Sequence, residues 1–97
     1  EKPIPQKFIL YQNFPNPFNG STTIKFELPE NNFINLKIIN ILGETVRNIY
    51  SGNLKADVHS FNWDGKDNNL NVTSSGVYFI QLDYNGKKHL QKIMYIK

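Results

Sequence analysis

The 97-residue sequence contains no cysteine. That excludes a disulfide framework and thiol catalysis. No apolar run approaches the ~20 residues needed to span a bilayer, so no membrane span is expected, and no stretch reads as a signal peptide. No segment carries the helical period of an amphipathic helix. The six glycines lie singly at turns, which leaves no phosphate-cradling loop. Histidine is confined to His59 and His89, each without an acidic or nucleophilic partner at motif spacing. The residues therefore offer no catalytic constellation, and no enzyme activity or cofactor is expected. The chain starts at Glu1 rather than Met, which reads as a piece cut from a longer polypeptide.

What is present suits one domain with a core of its own. Hydrophobic residues make up 39%, with seven Phe, five Tyr and one Trp. A chain of this length buries roughly 60–65% of its unfolded surface. The formal charge is +3, and Lys87, Lys88, Lys92 and Lys97 crowd the end of the sequence around His89. We read these lysines as decoration of an exposed edge strand that discourages edge-to-edge pairing, and expect no nucleic-acid partner.

The densest β signal is Gly76-Val77-Tyr78-Phe79-Ile80-Gln81-Leu82-Asp83-Tyr84, with Tyr78, Ile80, Leu82 and Tyr84 on one parity. Asn85-Gly86 follows, the pairing that a two-residue hairpin turn with two positive φ angles favours. Lys87 to Ile96 then returns antiparallel, and the hairpin is expected at the centre of a sheet. Earlier in the chain, Glu1 to Lys7 holds Pro3 and Pro5 and reads as a linker tail ahead of a domain spanning 8–97. Phe8 to Tyr11 is a candidate first strand. The loop Gln12 to Ser21 contains two prolines and a glycine, which forbid a regular ladder. Phe14 and Phe18 are expected to pin it over one end of the core.

Thr22 to Leu28 alternates cleanly and predicts a half-buried strand ended by Pro29. Ile34 to Ile41 is the next strand, with a phase slip at Ile39 and Ile41 that calls for a bulge or for burial on both faces. Thr45 to Tyr50 is another, ended by a turn at Ser51-Gly52-Asn53. Val58 to Trp63 puts His59, Phe61 and Trp63 on one face. About seven short strands at ten-residue spacing predict an all-β, immunoglobulin-like antiparallel sandwich. The loop Asp64 to Asn71 has a calcium-loop composition but lacks the alternating spacing and the closing glutamate, so side-chain turns explain its carboxylates better. Asn19-Gly20-Ser21 and Asn71-Val72-Thr73 match the glycosylation pattern, too short to carry a function. Most aromatics share the core-facing parity, which disfavours a sugar-stacking platform.

Tyr11-Gln12-Asn13-Phe14-Pro15-Asn16-Pro17-Phe18-Asn19, Leu42-Gly43, Trp63-Asp64-Gly65-Lys66-Asp67, Ser75-Gly76-Val77-Tyr78-Phe79 and Lys92-Ile93 with Lys97 occur in that order. Together they resemble the C-terminal sorting domain of the type IX secretion system, from Tyr11 to Lys97. Gly20, where that family often has a second proline, and Tyr95, at a usually aliphatic place, depart from its pattern. The Trp-Asp-Gly loop and Gly-Val-Tyr-Phe strand are also similar to the immunoglobulin-like domain of flagellar hook-capping proteins. The first resemblance implies a non-catalytic address label attached behind a secreted cargo domain. It implies periplasmic transit, recognition by the outer-membrane translocon, removal in many cases by a sortase-like protease, and release or surface anchoring. The recognition residues it implies are Gly76, Tyr78, Gly86, Lys92 and Lys97. If the last strand and basic end are what the export partner reads, deleting the last few residues is expected to leave the sandwich largely folded and the cargo in the periplasm. The alternative is an accessory or carbohydrate-binding module of a secreted glycoside-degrading enzyme.

Overall fold

The alternation in Thr22–Leu28 is the plainest local determinant of the architecture. In the computed structural model, which describes residues 3–97, this stretch buries Thr22, Ile24, Phe26 and Leu28 and leaves Thr23 and Lys25 exposed. Seven strands form among the described residues: β1 Ile9–Leu10, β2 Thr22–Leu28, β3 Asn32–Ile39, β4 Thr45–Leu54, β5 Asp57–Trp63, β6 Gly76–Tyr84 and β7 Lys87–Tyr95. They build two antiparallel sheets, ordered β1-β2-β5 and β4-β3-β6-β7. No helix occurs among the described residues. The fold is an all-β sandwich, as the strand spacing predicts.

The two sheets meet on alternate residues. Ile24, Phe26 and Leu28 of β2 share one core with Ile34, Leu36 and Ile38 of β3 and Ile80 and Leu82 of β6. Each of these eight is fully buried. Burying a side chain of this size contributes about 1.5–3 kcal/mol. At one end, Trp63 packs edge-on against Tyr78 and Phe18, with centroids 5.3 and 5.5 Å apart, and Tyr95 lies 5.0 Å from Phe18. At the other end Phe8 stacks on Tyr84 at 4.7 Å and lies tilted against His89 at 4.3 Å. The second histidine, His59, also lies beside an aromatic ring, Phe26 at 5.6 Å.

Several local expectations need correction. The final hairpin is not centred in its sheet: β6 is interior, but β7 is an edge. The first strand is only two residues: its regular ladder stops at Leu10, and pairing with β2 returns only as a single bridge between Phe14 and Thr23, just ahead of Pro15. Ser51-Gly52-Asn53 is not a turn but part of β4. Gly52 serves packing there: a Cβ would sit 3.1 Å from the Tyr50 hydroxyl oxygen, so the missing side chain makes room for that ring. Strand β3 stops at Ile39 rather than Ile41, because Asn40 turns the chain by accepting the N–H groups of Leu42 and Glu44 at 3.0 and 2.9 Å.

The phase slip in β3 has its cause in burial on both faces. Its pairing with β6 is unbroken from Ile34 to Ile39, while Ile38 and Ile39 are both buried. The register shifts lie against β4, which inserts Val46 and Ile49 as extra residues. Both then reach the core from opposite sequence parities. Residues 3–7 contain no strand, in keeping with a tail; Glu1 and Lys2 of that reading lie outside the described residues.

Gly65 has the tightest backbone approach among the glycines. Its φ is +75°, and a Cβ there would lie 2.8 Å from two ring carbons of Tyr95. Gly86 has a similar φ of +78° but open space around it. We expect Gly65→Ala to destabilise the domain by roughly 2–4 kcal/mol and Gly86→Ala by about 1 kcal/mol. Chemical denaturation checks this, and equal losses at both sites would show that the Tyr95 ring yields freely.

Candidate recognition surface

The β6–β7 hairpin turns through Asn85 and Gly86, with φ of 54° and 78°. Its register runs without a break from Tyr84↔Lys87 to Gly76↔Tyr95. In a two-residue hairpin the pairs Tyr84/Lys87, Leu82/His89, Ile80/Gln91 and Tyr78/Ile93 exchange backbone hydrogen bonds. The intervening residues Lys88, Leu90, Lys92 and Met94 therefore aim N–H and C=O away from β6. Their side chains lie on the outer face, exposed to solvent, while Ile93 and Tyr95 enter the core.

The proline-rich loop covers part of this open edge. Phe18 donates its N–H to the Met94 carbonyl at 3.0 Å, and its own carbonyl accepts from Ile96 N–H at 2.8 Å. Asn16 Oδ1 accepts from Met94 N–H at 2.9 Å, a side chain taking the place of a strand neighbour. Gln12 Nε2 reaches the Lys92 carbonyl at 3.3 Å. Inside the loop, Asn13 is buried and donates to Thr22 Oγ1 at 2.8 Å and to the Pro15 carbonyl at 3.2 Å. Phe14-Pro15 and Asn16-Pro17 are both cis. Of the two phenylalanines expected to pin the loop, Phe18 does so at 3% exposure, but Phe14 points outward at 79%. Asn13 fills the inward place instead, because its amide satisfies polar groups that a phenyl ring could not.

The residues singled out from the sequence fall in separate places. Gly76 opens β6 beside a depression of about 820 Å³ whose rim includes Asn40, Thr45, Asp67 and Val77. Gly86 lies at the far end of the nine-residue strand, roughly 30 Å away along the strand. Tyr78 is turned into the core, with its hydroxyl donating to the Ser74 carbonyl at 2.6 Å. Lys92 is exposed on the outer face opposite Phe79. Lys97 is exposed and tied by its backbone N–H to Ser75 Oγ at 2.8 Å, near Gly76. Removing residues from Lys92 onward would take Ile93 and Tyr95 out of the core. Such a deletion cannot leave the sandwich intact, contrary to the sequence expectation.

The Asp64–Asn71 loop is held by its own backbone. Asp64 accepts from Lys66 N–H at 3.1 Å and meets Arg47 at 3.3 Å, and Asp67 accepts from Asn69 and Asn71 N–H at 2.9 and 3.0 Å. Among the described residues no group of three His, Cys, Asp or Glu side chains is placed to hold a metal ion. On the other sheet, Tyr11 donates its hydroxyl to Glu27 while Lys25 sits 5.0 Å over its ring. That hydrogen bond, then burial, hold the Tyr11 phenol above its ordinary value.

A sequence model of the FlgD Ig-like domain matches residues 13–88, more than three quarters of the chain. The chain belongs to the FlgD Ig-like domain family. No curated protein matches it. Solved structures that share the Ig-like fold include two from one bacterium. Dimeric latent PorU from Porphyromonas gingivalis superposes with a TM-score of 0.72 at 16% identity, over 92% of this chain and 9% of PorU. PorZ, an essential bacterial surface component of the type-IX secretion system of the same organism, gives 0.62 at 20% identity, over 91% of this chain and 11% of PorZ. Identity this low carries the fold alone. The Ig-like domain thus spans about a tenth of either neighbour.

Asn16 was legible in the sequence only as a turn residue, yet it caps an edge strand 78 positions away. Asn16→Ala should cost about 1 kcal/mol and speed amide exchange at Met94, with the β3–β6 amides changed only through that stability loss. Unchanged exchange at Met94 would show that the cap does not hold the edge.

Proposed function

We propose that this domain is a non-catalytic C-terminal sorting signal, which directs an attached cargo through the type IX outer-membrane translocon. Its parent crosses the periplasm and is then secreted or held at the cell surface, with a sortase-like component removing the domain where anchoring follows. The observation that carries this reading is the docking of the asparagine-proline loop onto β7. Asn16 and Phe18 belong to the stretch that most resembles sorting domains, and they clamp the strand that bears Lys92 and precedes Lys97. Two separated motifs of that resemblance thus become one surface, with exposed lysines beside it. Kinship of fold with PorZ, a type-IX secretion component, supports the same reading.

A sugar-binding accessory module needs a row of exposed aromatics on one sheet face. Among the described residues the exposed rings are Phe14, on the loop bridged to Thr23, and Phe33, on β3 of the other sheet. They do not form a row.

The test is a fluorescent reporter fused ahead of residues 1–97 in a type IX-competent host. We expect reporter at the surface or in the medium. Lys92→Glu with Lys97→Glu, which leaves Ile93 and Tyr95 in place, should strand it in the periplasm as a folded fusion. If the unaltered fusion stays periplasmic while folded, the sorting reading fails.

A further inference from the structure

The cap on β7 is incomplete. The loop satisfies Met94, Ile96 and the Lys92 carbonyl. Among the described residues nothing bonds the outward N–H and C=O of Lys88 and Leu90, or the Lys92 N–H. This open stretch is five residues long, enough for a short β-ladder. Its exposed side chains read lysine, leucine, lysine at alternate positions, with Leu90 57% exposed. Lys92 lies across from Phe79, and neither Lys88 nor Lys92 forms an ion pair among the described residues. Asp83 lies across from Lys88, but Gln81 Nε2 donates to that carboxylate at 3.2 Å. Lys37 adds a further positive charge, since it shares a cross-strand row with Gln81 and Leu90.

We infer that Lys88–Lys92 is a docking edge for one β-strand of a partner protein, carrying acidic residues two positions either side of an apolar one. The spacing follows from the ladder. When the apolar residue lies opposite Leu90, the acidic pair lies opposite Lys88 and Lys92, and each cross-strand pair of opposite charge is favourable. The same spacing disfavours a second copy of this chain. Two β7 strands paired antiparallel about Leu90 would set each Lys88 directly against a Lys92, and like charges so placed repel. The edge is therefore guarded against itself and open to an acidic strand. The inference deepens the sorting reading, on which it rests for the partner's role in export. The chemistry of the partner strand is read from the edge alone.

The experiment titrates the isotope-labelled chain with a synthetic strand centred on glutamate–threonine–valine–threonine–glutamate. Its control carries lysine at both glutamate positions. Amide exchange at Lys88, Leu90 and Lys92 should slow with the acidic strand and not with the basic one, and added salt should weaken the effect. Leu90→Pro removes an outward N–H and spares the β6 ladder, a place where edge strands tolerate proline. It should weaken binding about tenfold while the β6 amides stay protected. Lys88→Glu with Lys92→Glu should reverse the preference between the two strands. Equal response to both strands, or undiminished binding by Leu90→Pro, overturns the docking edge. So does protection of residues 88–92 that grows with chain concentration alone, which would make a second copy the occupant.

The reporter fusion separates the two readings. If Leu90→Pro loses the acidic strand but is exported normally, the edge is not the export contact and the sorting reading stands. If the unaltered fusion is not exported yet binds the acidic strand, the sorting reading falls and the docking edge stands.

Discussion

Phe18 joins everything that makes this sandwich a single object. Its ring sits between Trp63 of one sheet and Tyr95 of the other, so it belongs to the core. Its backbone, in the same residue, supplies two of the hydrogen bonds that clamp the end of β7. Few residues combine these jobs, because a core side chain is normally carried by backbone already committed to a ladder of its own sheet. Here Pro17 just before it and the turn at Gly20 just after it free the backbone of Phe18 from any regular ladder. It can then serve as a one-residue neighbour to the edge strand. The asparagines complete the arrangement: Asn13 fixes the loop from inside and Asn16 reaches the strand from outside.

This constraint divides β7 into two parts with different physics. The stretch from Ile93 onward is locked by core burial and by the loop, so its backbone is fully engaged. From Lys88 to the Lys92 N–H the backbone is paired only on the β6 side, the Lys92 carbonyl being the first group the loop reaches. A surface for a partner is best built where the backbone is ordered but not satisfied, because the ordering entropy has already been lost and the hydrogen-bonding groups are still free. Lys88 and Lys92 sit on this second part, and the buried anchors Ile93 and Tyr95 sit on the first.

Much of the architecture was legible in the sequence because it rests on period-2 alternation. Thr22–Leu28 and Gly76–Tyr84 pack as their parities demand, and Asn85-Gly86 turns as its composition demands. The misreadings have a common origin in residues whose role is set from far away. Gly52 looks like a turn signal, but it is a strand residue that makes room for Tyr50. Phe14 looks like an anchor, but the neighbouring Asn13 satisfies the buried polar groups and takes the inner place. Val46 and Ile49 share no parity, yet bulges in β4 bring both to the core. The edge cap was not legible, since nothing near Asn16 in the sequence announces the amide it meets at Met94. Tyr95, an odd choice beside the sorting-domain pattern, is explained by the hollow that Gly65 leaves for its ring.

The bridge between Phe18 and Tyr95 also sets an order in time. Sheet β1-β2-β5 and the β3–β4 hairpin can form from residues synthesised early, but their shared core stays open at one end until Ile93 and Tyr95 arrive. Contacts between such distant parts of a chain are the slow ones to form. Until the last strand docks, the chain therefore has an unfinished edge on β6 and an unoccupied place beside Phe18. Closure of the sandwich thus requires the residues up to Tyr95, and only a closed sandwich presents the ordered, half-open edge of β7 to anything outside.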